Sequence, residues 1–221
     1  MDDTTKPVIG IIGGTGDLGS GLARAWATAG YRVVLGSRSR DKAVAAAAEI
    51  AHGATGEDNV GAARAADVIV LAVPFSNHDA TLEEIKSEVQ GKIVVDAAVP
   101  LVPPKISVVQ LPAEGSAAQI AQRILGEGVR VVSAFHNVGA AKLHKGGRAD
   151  CDVLVFSDHK EARDQVIALA GAVATRGVGG GSLANSAAAE ALTSVLIWIN
   201  RQYKVLGAGV SITGLNDPAK A

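Results

Sequence analysis

Residues 8–19 read Val8-Ile9-Gly10-Ile11-Ile12-Gly13-Gly14-Thr15-Gly16-Asp17-Leu18-Gly19. A short apolar run is followed at once by glycines, and then by Leu18, Leu22, Ala25 and Ala29 at helical spacing. This strand–turn–helix setting is the one in which Gly14, Gly16 and Gly19, spaced G-x-G-x-x-G, bind a dinucleotide. Gly14 allows the tight turn, Gly16 lets the backbone approach a pyrophosphate, and Gly19 lets the helix pack close to the strand. The pyrophosphate would rest on the free N–H groups at the helix start, where the helix dipole also favours anions. A glycine turn without a ligand is the alternative for the three letters alone, and the flanking elements weigh against it.

Outward from this stretch, apolar runs and helical patterns alternate. Tyr31-Arg32-Val33-Val34-Leu35 reads as a second strand, and the alanine-rich segment 41–52 as a helix stopped by Gly53. A turn-rich stretch to Gly61 and a short helix ending near Ala65 lead to the continuous apolar strand 67–73, closed by Pro74. A helix over 78–89 precedes the strand 92–96. Residues 100–115 carry Pro103, Pro104 and Pro112 and read as loop. Ser116 caps a helix to about Leu125, and strands follow over 130–135 and 151–156, with a helix over 160–174. Apolar runs without alternation mark strands buried on both faces of a parallel sheet. Their alternation with helices predicts an α/β fold, a doubly wound, mostly parallel Rossmann-type sheet with a small helical C-terminal region. The glycines of 177–181 are the candidate boundary between a nucleotide-binding domain, 1–180, and a C-terminal region, 181–221. The latter opens on one long helix over 186–206, apolar at Leu192, Val195, Leu196, Ile199, Tyr203 and Leu206, expected to pack on the sheet and to help form a homodimer. The last residues carry no clear signal.

Composition narrows the function classes. Hydrophobic residues are 48% of the chain, enough for a sizeable core. Aromatics at 3% and a net charge of −1 argue against nucleic acid as a partner. Residues 1–7 are polar, unlike a signal peptide, and no apolar run reaches membrane-spanning length, the nearest being 195–199. The lone Cys151 has no disulfide partner and reads as a small buried hydrophobe, in keeping with a cytoplasmic protein.

The residues after the second strand choose the nucleotide. An NAD site places Asp or Glu there for the ribose 2′-hydroxyl, whereas an NADP site places cations. Here the chain reads Gly36-Ser37-Arg38-Ser39-Arg40-Asp41-Lys42, with no acid directly after Leu35. Arg38 offers a planar two-donor grip on a phosphate, Ser37 one hydrogen bond and Lys42 a point charge, so NADP is expected over NAD. Solvated surface cations are the alternative. A ligand in an open parallel sheet lies beyond the carboxyl ends of the strands. Those ends carry Val73, Pro74 and Phe75, then Ala97, Ala98, Val99 and Pro100, then His136, Asn137, Val138 and Gly139. Small apolar groups dominate, which suits a slot for flat rings better than a hydrolytic centre. His136 is the one titratable candidate, either structural or orienting and polarising a ligand. His78 and Asp79 read as a helix start, and Glu190, in an apolar helix, needs a partner if buried. Metal-ligand spacings, a G-x-S-x-G elbow and a Tyr-x-x-x-Lys pair are all absent.

Gly13-Gly14-Thr15-Gly16-Asp17-Leu18-Gly19, Gly36-Ser37-Arg38, Ala72-Val73-Pro74-Phe75, Val132-Ser133-Ala134-Phe135-His136 and Gly181-Ser182-Leu183-Ala184-Asn185-Ser186 follow one another in the order of one family. The chain resembles the F420-dependent NADP reductases (8-hydroxy-5-deazaflavin:NADPH oxidoreductases) over nearly its whole length. The resemblance implies reversible hydride transfer between NADP and coenzyme F420. By position it implies that Thr15, Gly16, Asp17 and Leu18 hold the pyrophosphate, that Ser37, Arg38 and Lys42 hold the 2′-phosphate, and that Pro74 flanks the nicotinamide. It further implies a deazaflavin slot lined by Ala98, Val99 and Pro100, by His136, Val138 and Ala140, and by Leu183 and Asn185. Lys142, Lys145 or Arg148 are candidates for the coenzyme's acidic tail. The departures are Ser39 and Arg40, and the loop 102–109 has no clear match. A deazaflavin accepts hydride, so the protein mainly has to stack two rings, with reacting carbons about 3–3.5 Å apart, and needs no dedicated acid or base there. Two other classes remain at this stage: an NADP-sensing regulator, since Gly13, Gly16 and Gly19 also fit G-x-x-G-x-x-G, and an NADPH-dependent imine or ketone reductase.

Overall fold

The computed structural model describes residues 6–50, 52–144 and 148–215. Residues 1–5, Lys145 and the last six residues lie outside them. Five of the expected strands line up in a parallel sheet: β1 (Ile9–Ile12), β2 (Val33–Ser37), β4 (Val68–Leu71), β5 (Ile93–Asp96) and β6 (Arg130–Ser133). A sixth, β3 (Thr55–Asp58), takes the edge beside β2, giving the order β3-β2-β1-β4-β5-β6. This strand was not expected, because Thr55-Gly56-Glu57-Asp58 has no apolar run and stays half exposed. Gly56 lets it lie against the helix before it: a Cβ there would fall 2.3 Å from the Ala43 backbone.

Successive side chains along each strand feed opposite faces. Ile9, Ile11, Val68, Val70, Ile93 and Val95 enter one core, with Leu22 and Trp26 of α1 (Asp17–Thr28) and Ala43, Ala47 and Ile50 of α2 (Arg40–Ile50). Ile12, Ile69, Leu71 and Val94 enter the other. Its helices are α3 (Asn59–Ala65), α4 (His78–Ile85) and α5 (Ala117–Leu125). The sheet is doubly wound, and its order reverses between β1 and β4. Ser116 caps α5 as expected, its Oγ accepting from the Gln119 N–H at 3.1 Å.

Beyond β6 the chain departs from the expected single sheet. β7 (Ala149–Val155) pairs in parallel with β8 (Ala174–Gly179) as a separate two-stranded sheet, the two joined by α7 (Lys160–Val173). β8 falls where the sequence reads as a helix end and a glycine boundary. Gly177 serves close packing there: a Cβ would sit 2.7 Å from the Ile167 carbonyl oxygen of α7. The second sheet meets the first through one antiparallel bridge, Ser133 with Phe156, whose two N–H···O bonds are 2.9 and 3.0 Å. On the same outer side of β6, the Val131 carbonyl accepts from Ser157 Oγ at 2.7 Å, and the Val129 carbonyl accepts from Gln122 Nε2 at 3.0 Å.

After β6, Phe135 adopts a left-handed φ of 72° and turns the chain toward His136. Its ring is held edge-on by Trp26 at 5.5 Å, and Trp26 Nε1 donates to the Leu169 carbonyl at 3.0 Å. A short helix, α6 (Ala140–His144), then packs on α1. The long C-terminal helix is α8 (Ser186–Tyr203). It packs against α5, and its buried face carries Ser186, Glu190 and Ser194 beside Ala189 and Leu196. Val195, Tyr203 and Leu206, counted on sequence as part of an apolar packing surface, are exposed, and so is Trp198. Among the described residues no helix is long and apolar enough to cross a membrane.

Candidate functional site

The glycine turn and the end of β2 are tied together by backbone. The N–H groups of Gly13 and Gly14 both donate to the Gly36 carbonyl, at 3.1 and 3.0 Å. This brings Ser37 and Arg38 to the start of α1, which begins at Asp17 after the extended Gly16. The first N–H groups of any helix lack partners within it, so this start presents donors outward.

A cavity of about 170 Å³ lies between the two, lined by Gly13, Thr15, Gly16, Ser37, Arg38 and Asn59 among others. Arg38 is exposed and makes no ion pair or hydrogen bond with another described residue, so its guanidinium is available to an anion. Arg40 is engaged: it pairs with Glu57 of β3 at 3.0 Å. Lys42 is exposed on the first turn of α2. Asn59 went unnoticed in the sequence. It is buried, its Nδ2 donates to Glu84 at 3.1 Å, and its Oδ1 has no partner. An unsatisfied buried acceptor, a free cation and a cradle without side chains fit the adenosine end of a dinucleotide with a 2′-phosphate.

Gly16, Ala72, Val73 and Pro74 are shared with a second, larger groove of about 530 Å³. Its walls are Gly16, Asp17 and Leu18 on one side, Val73, Pro74 and Phe75 in the middle, and Ala97, Ala98 and Val99 opposite. Leu101, Pro103 and Ile106 close the far end, so the loop with no clear match on sequence supplies a wall. The groove is mostly apolar; among its lining residues only Asp17, at the mouth, carries a charge.

Not every expected residue reaches it. Gly14 is buried in the turn and Pro100 behind the groove. Val138 and Ala140 lie in the turn after β6, packed toward the core and α1. Leu183 plugs the second core and faces a separate cavity with Gln122, Arg123 and Asp158, while Asn185 Nδ2 donates to the Gly180 carbonyl at 2.9 Å. Lys142 is paired with Asp150, and Arg148 is spent on the carbonyls of Gly171 and Ala174.

His136 is buried, its Nε2 3.1 Å from Ser133 Oγ. Burial drives its pKa down to about 4, against the opposing influence of Asp96, so the ring is neutral at physiological pH. Its carbonyl accepts from Thr193 Oγ1 of α8 at 2.9 Å. Glu190 has found its partner: the carboxylate accepts from the Ala117 and Ala118 N–H groups, at 2.7 and 3.2 Å, across the start of α5. Burial nevertheless pushes its pKa up to about 7. Burial likewise pushes the Cys151 thiol up to about 11, which makes it unreactive. His78 starts α4 as expected, yet it is wholly buried, with Nε2 2.8 Å from Asp96 Oδ2. Among the described residues no cluster of His, Cys, Asp or Glu forms a metal site.

Residues 8–100 match the family model described as NADP oxidoreductase, coenzyme F420-dependent. The F420-dependent NADP reductase of Methanothermobacter marburgensis is 39% identical over 223 residues, covering 95% of this chain and 99% of that protein. The F420-dependent NADP reductase of Methanocaldococcus jannaschii is 38% identical over 221 residues, covering 94% and 98%. A crystal structure of a candidate F420-dependent NADP reductase from Arthrobacter sp. FB24 superimposes with a TM-score of 0.78 at 24% identity, over 93% of this chain and 98% of that one. That likeness extends the shared fold through the second sheet and α8. The chain belongs to the F420-dependent NADP reductase family.

Proposed function

We propose that this chain transfers hydride reversibly between NADP(H) and coenzyme F420, with both redox rings in the apolar groove. The observation that carries the reading is the continuity of the two cavities, which share Gly16, Ala72, Val73 and Pro74. A nucleotide anchored at the small cavity therefore directs its nicotinamide into the large one. The bound pair supplies the chemistry, passing hydride from the nicotinamide to the deazaflavin ring. The protein's residues bind and orient. Thr15, Asp17 and Leu18 take the pyrophosphate by backbone N–H, and Gly16, whose own N–H donates to the Gly13 carbonyl at 3.0 Å, lets the backbone come close to it. Ser37 and Arg38, with Lys42 behind them, take the 2′-phosphate, and Pro74 flanks the nicotinamide. Ala98 and Val99 face the deazaflavin. His136, as a neutral imidazole, orients the turn behind them and donates no charge. Residues 1–180 carry the nucleotide, and residues 181–221 brace the ring end through Thr193 and Glu190.

The exposed apolar face of α8, with Val195 and Trp198, is the surface for a second copy in a homodimer. A free, buried Cys151 accords with a cytoplasmic site of action.

Mixing the purified protein with NADPH and F420 and following the visible band of oxidised F420 tests the reading. Loss of the band at a rate proportional to protein is the expected result. Retained absorbance with tight NADPH binding would instead identify a sensor, and turnover of an imine or ketone a different reductase. Replacement of Arg38 by alanine should weaken NADPH by about 1–3 kcal/mol, the usual worth of a hydrogen bond to a charged group, and leave NADH binding unchanged. A fluorescence titration with each nucleotide measures both; equal loss for NADH would mean that Arg38 does not read the 2′-phosphate.

A further inference from the structure

The mechanism above leaves a fully buried charged pair unused, and it lies directly behind the groove. His78 and Asp96 are both fully buried, 18 residues apart and on different elements. His78 is the first residue of α4, so it ends the segment that supplies Phe75 and Ser76 to one wall. Asp96 is the last residue of β5, so it begins the segment that supplies Ala97, Ala98 and Val99 to the opposite wall. The Nε2–Oδ2 contact of 2.8 Å therefore joins the two walls from behind. The remaining oxygen of Asp96 accepts from the Ala98 N–H at 2.9 Å, fixing the lining residue itself. The His78 ring also lies 5.7 Å from the ring of Phe75. On its other side, His78 Nδ1 meets the solvent-exposed Asp79 at 2.8 Å.

We propose that His78 is a positioning residue for the reaction: bridging Asp79 and Asp96, it sets the separation of the two groove walls and hence the stacking of the rings. The inference rests on the reading of the groove as a ring slot. Two stacked rings react well only at one spacing, and small misplacements of reacting atoms cost large factors in rate. A lost bridge lets the walls relax while the adenosine end, held on β2 and α1, stays as it is. The bridge is strongest while His78 is an imidazolium. Burial by itself lowers its pKa, but the hydrogen bond and charge of Asp96, then those of Asp79, outweigh burial and lift it to about 9. Glu190 of α8 also faces this pair, and His136 of the turn after β6 feels the charge of Asp96. His136 has finished titrating well below pH 7 and Glu190 is at its midpoint near 7, so a fall centred near pH 9 belongs to His78.

The test is steady-state and single-turnover hydride transfer from NADPH to F420 across pH 6.5–10, for the wild type, His78→Gln and Asp79→Asn. The wild-type rate should fall as pH rises through about 9. His78→Gln should transfer hydride at least tenfold more slowly at pH 7.5 and lose the alkaline fall, while its Kd for 2′,5′-ADP stays within twofold. Asp79→Asn removes one exposed carboxylate and should move the alkaline fall to lower pH, a change no purely structural role would produce. If His78→Gln does not fold, Asp79→Asn and the wild type still decide the matter. A wild type that transfers hydride with no alkaline fall, or an Asp79→Asn profile that coincides with it, overturns the role of His78. A wild type that transfers no hydride overturns the functional reading instead.

Discussion

Gly19→Ala should lower stability by about 3 kcal/mol and weaken NADPH at least tenfold. A Cβ at this position would fall 2.5 Å from the Gly13 carbonyl oxygen and 2.9 Å from Gly14 Cα. Both are backbone atoms of the turn that the Gly36 carbonyl ties down, so neither can swing aside as a side chain would. Helix α1 has to move away from β1, which costs about as much as overpacking a tight core. In a chain of this length that loss lowers Tm by roughly 6–12 °C. The same displacement withdraws the helix-start N–H groups from the phosphate, so affinity and stability fall together. Thermal unfolding and an NADPH titration on one preparation measure both. An alanine variant with unchanged Tm and affinity would show that the strand–helix contact is looser than described.

Stability should be nearly flat between about pH 4.5 and 6.5 and then fall by roughly 3–4 kcal/mol up to about pH 9. Three buried groups set this shape. His136 has a lowered folded pKa of about 4 against an ordinary 6.5, so it contributes stability above 6.5 that is lost as pH falls toward 4. Glu190 has a raised folded pKa of about 7 against an ordinary 4.5, so folding becomes less favourable as pH rises between those values. Across the shared window the two slopes have opposite sign and similar size, and they cancel. His78 has a raised folded pKa of about 9 against an ordinary 6.5. Its contribution is complete below 6.5 and disappears as pH rises through 9, and nothing opposes it there. Denaturant unfolding at a series of pH values gives the curve. His78→Gln should flatten the alkaline limb, and Glu190→Gln should uncover an acid limb due to His136. An alkaline limb retained in His78→Gln would assign the fall to another group.

Much of the nucleotide half was legible because its chemistry is local. The glycine spacing, the apolar runs of β1, β4 and β5, and the cations after β2 are each written within a few adjacent residues. The edge strand β3 was not, since a half-exposed strand needs no apolar run, and β8 was hidden by glycines chosen for contact with α7. The groove's far wall came from residues 101–106, whose prolines signal a loop but not what the loop covers. Distant pairs were beyond a linear reading. His78 and Asp96 meet only because β4 and β5 are neighbours. Glu190 binds backbone N–H groups 73 and 72 residues away, and no sequence pattern encodes a backbone donor. The apolar count of α8 misled for a related reason: the helix buries Ser186 and Glu190 against polar groups at the start of α5 and leaves Val195, Trp198 and Tyr203 outside.

The outer side of β6 has its polar backbone groups taken up by Ser157, Gln122 and Phe156. At the opposite rim, β3 is four residues long and ends in two acids. Bare strand rims are where identical chains add to one another and grow into fibrils. This protein denies that route at one rim by saturation and at the other by brevity and like charge. Edge-to-edge growth of the six-stranded sheet is thereby disfavoured at both of its ends.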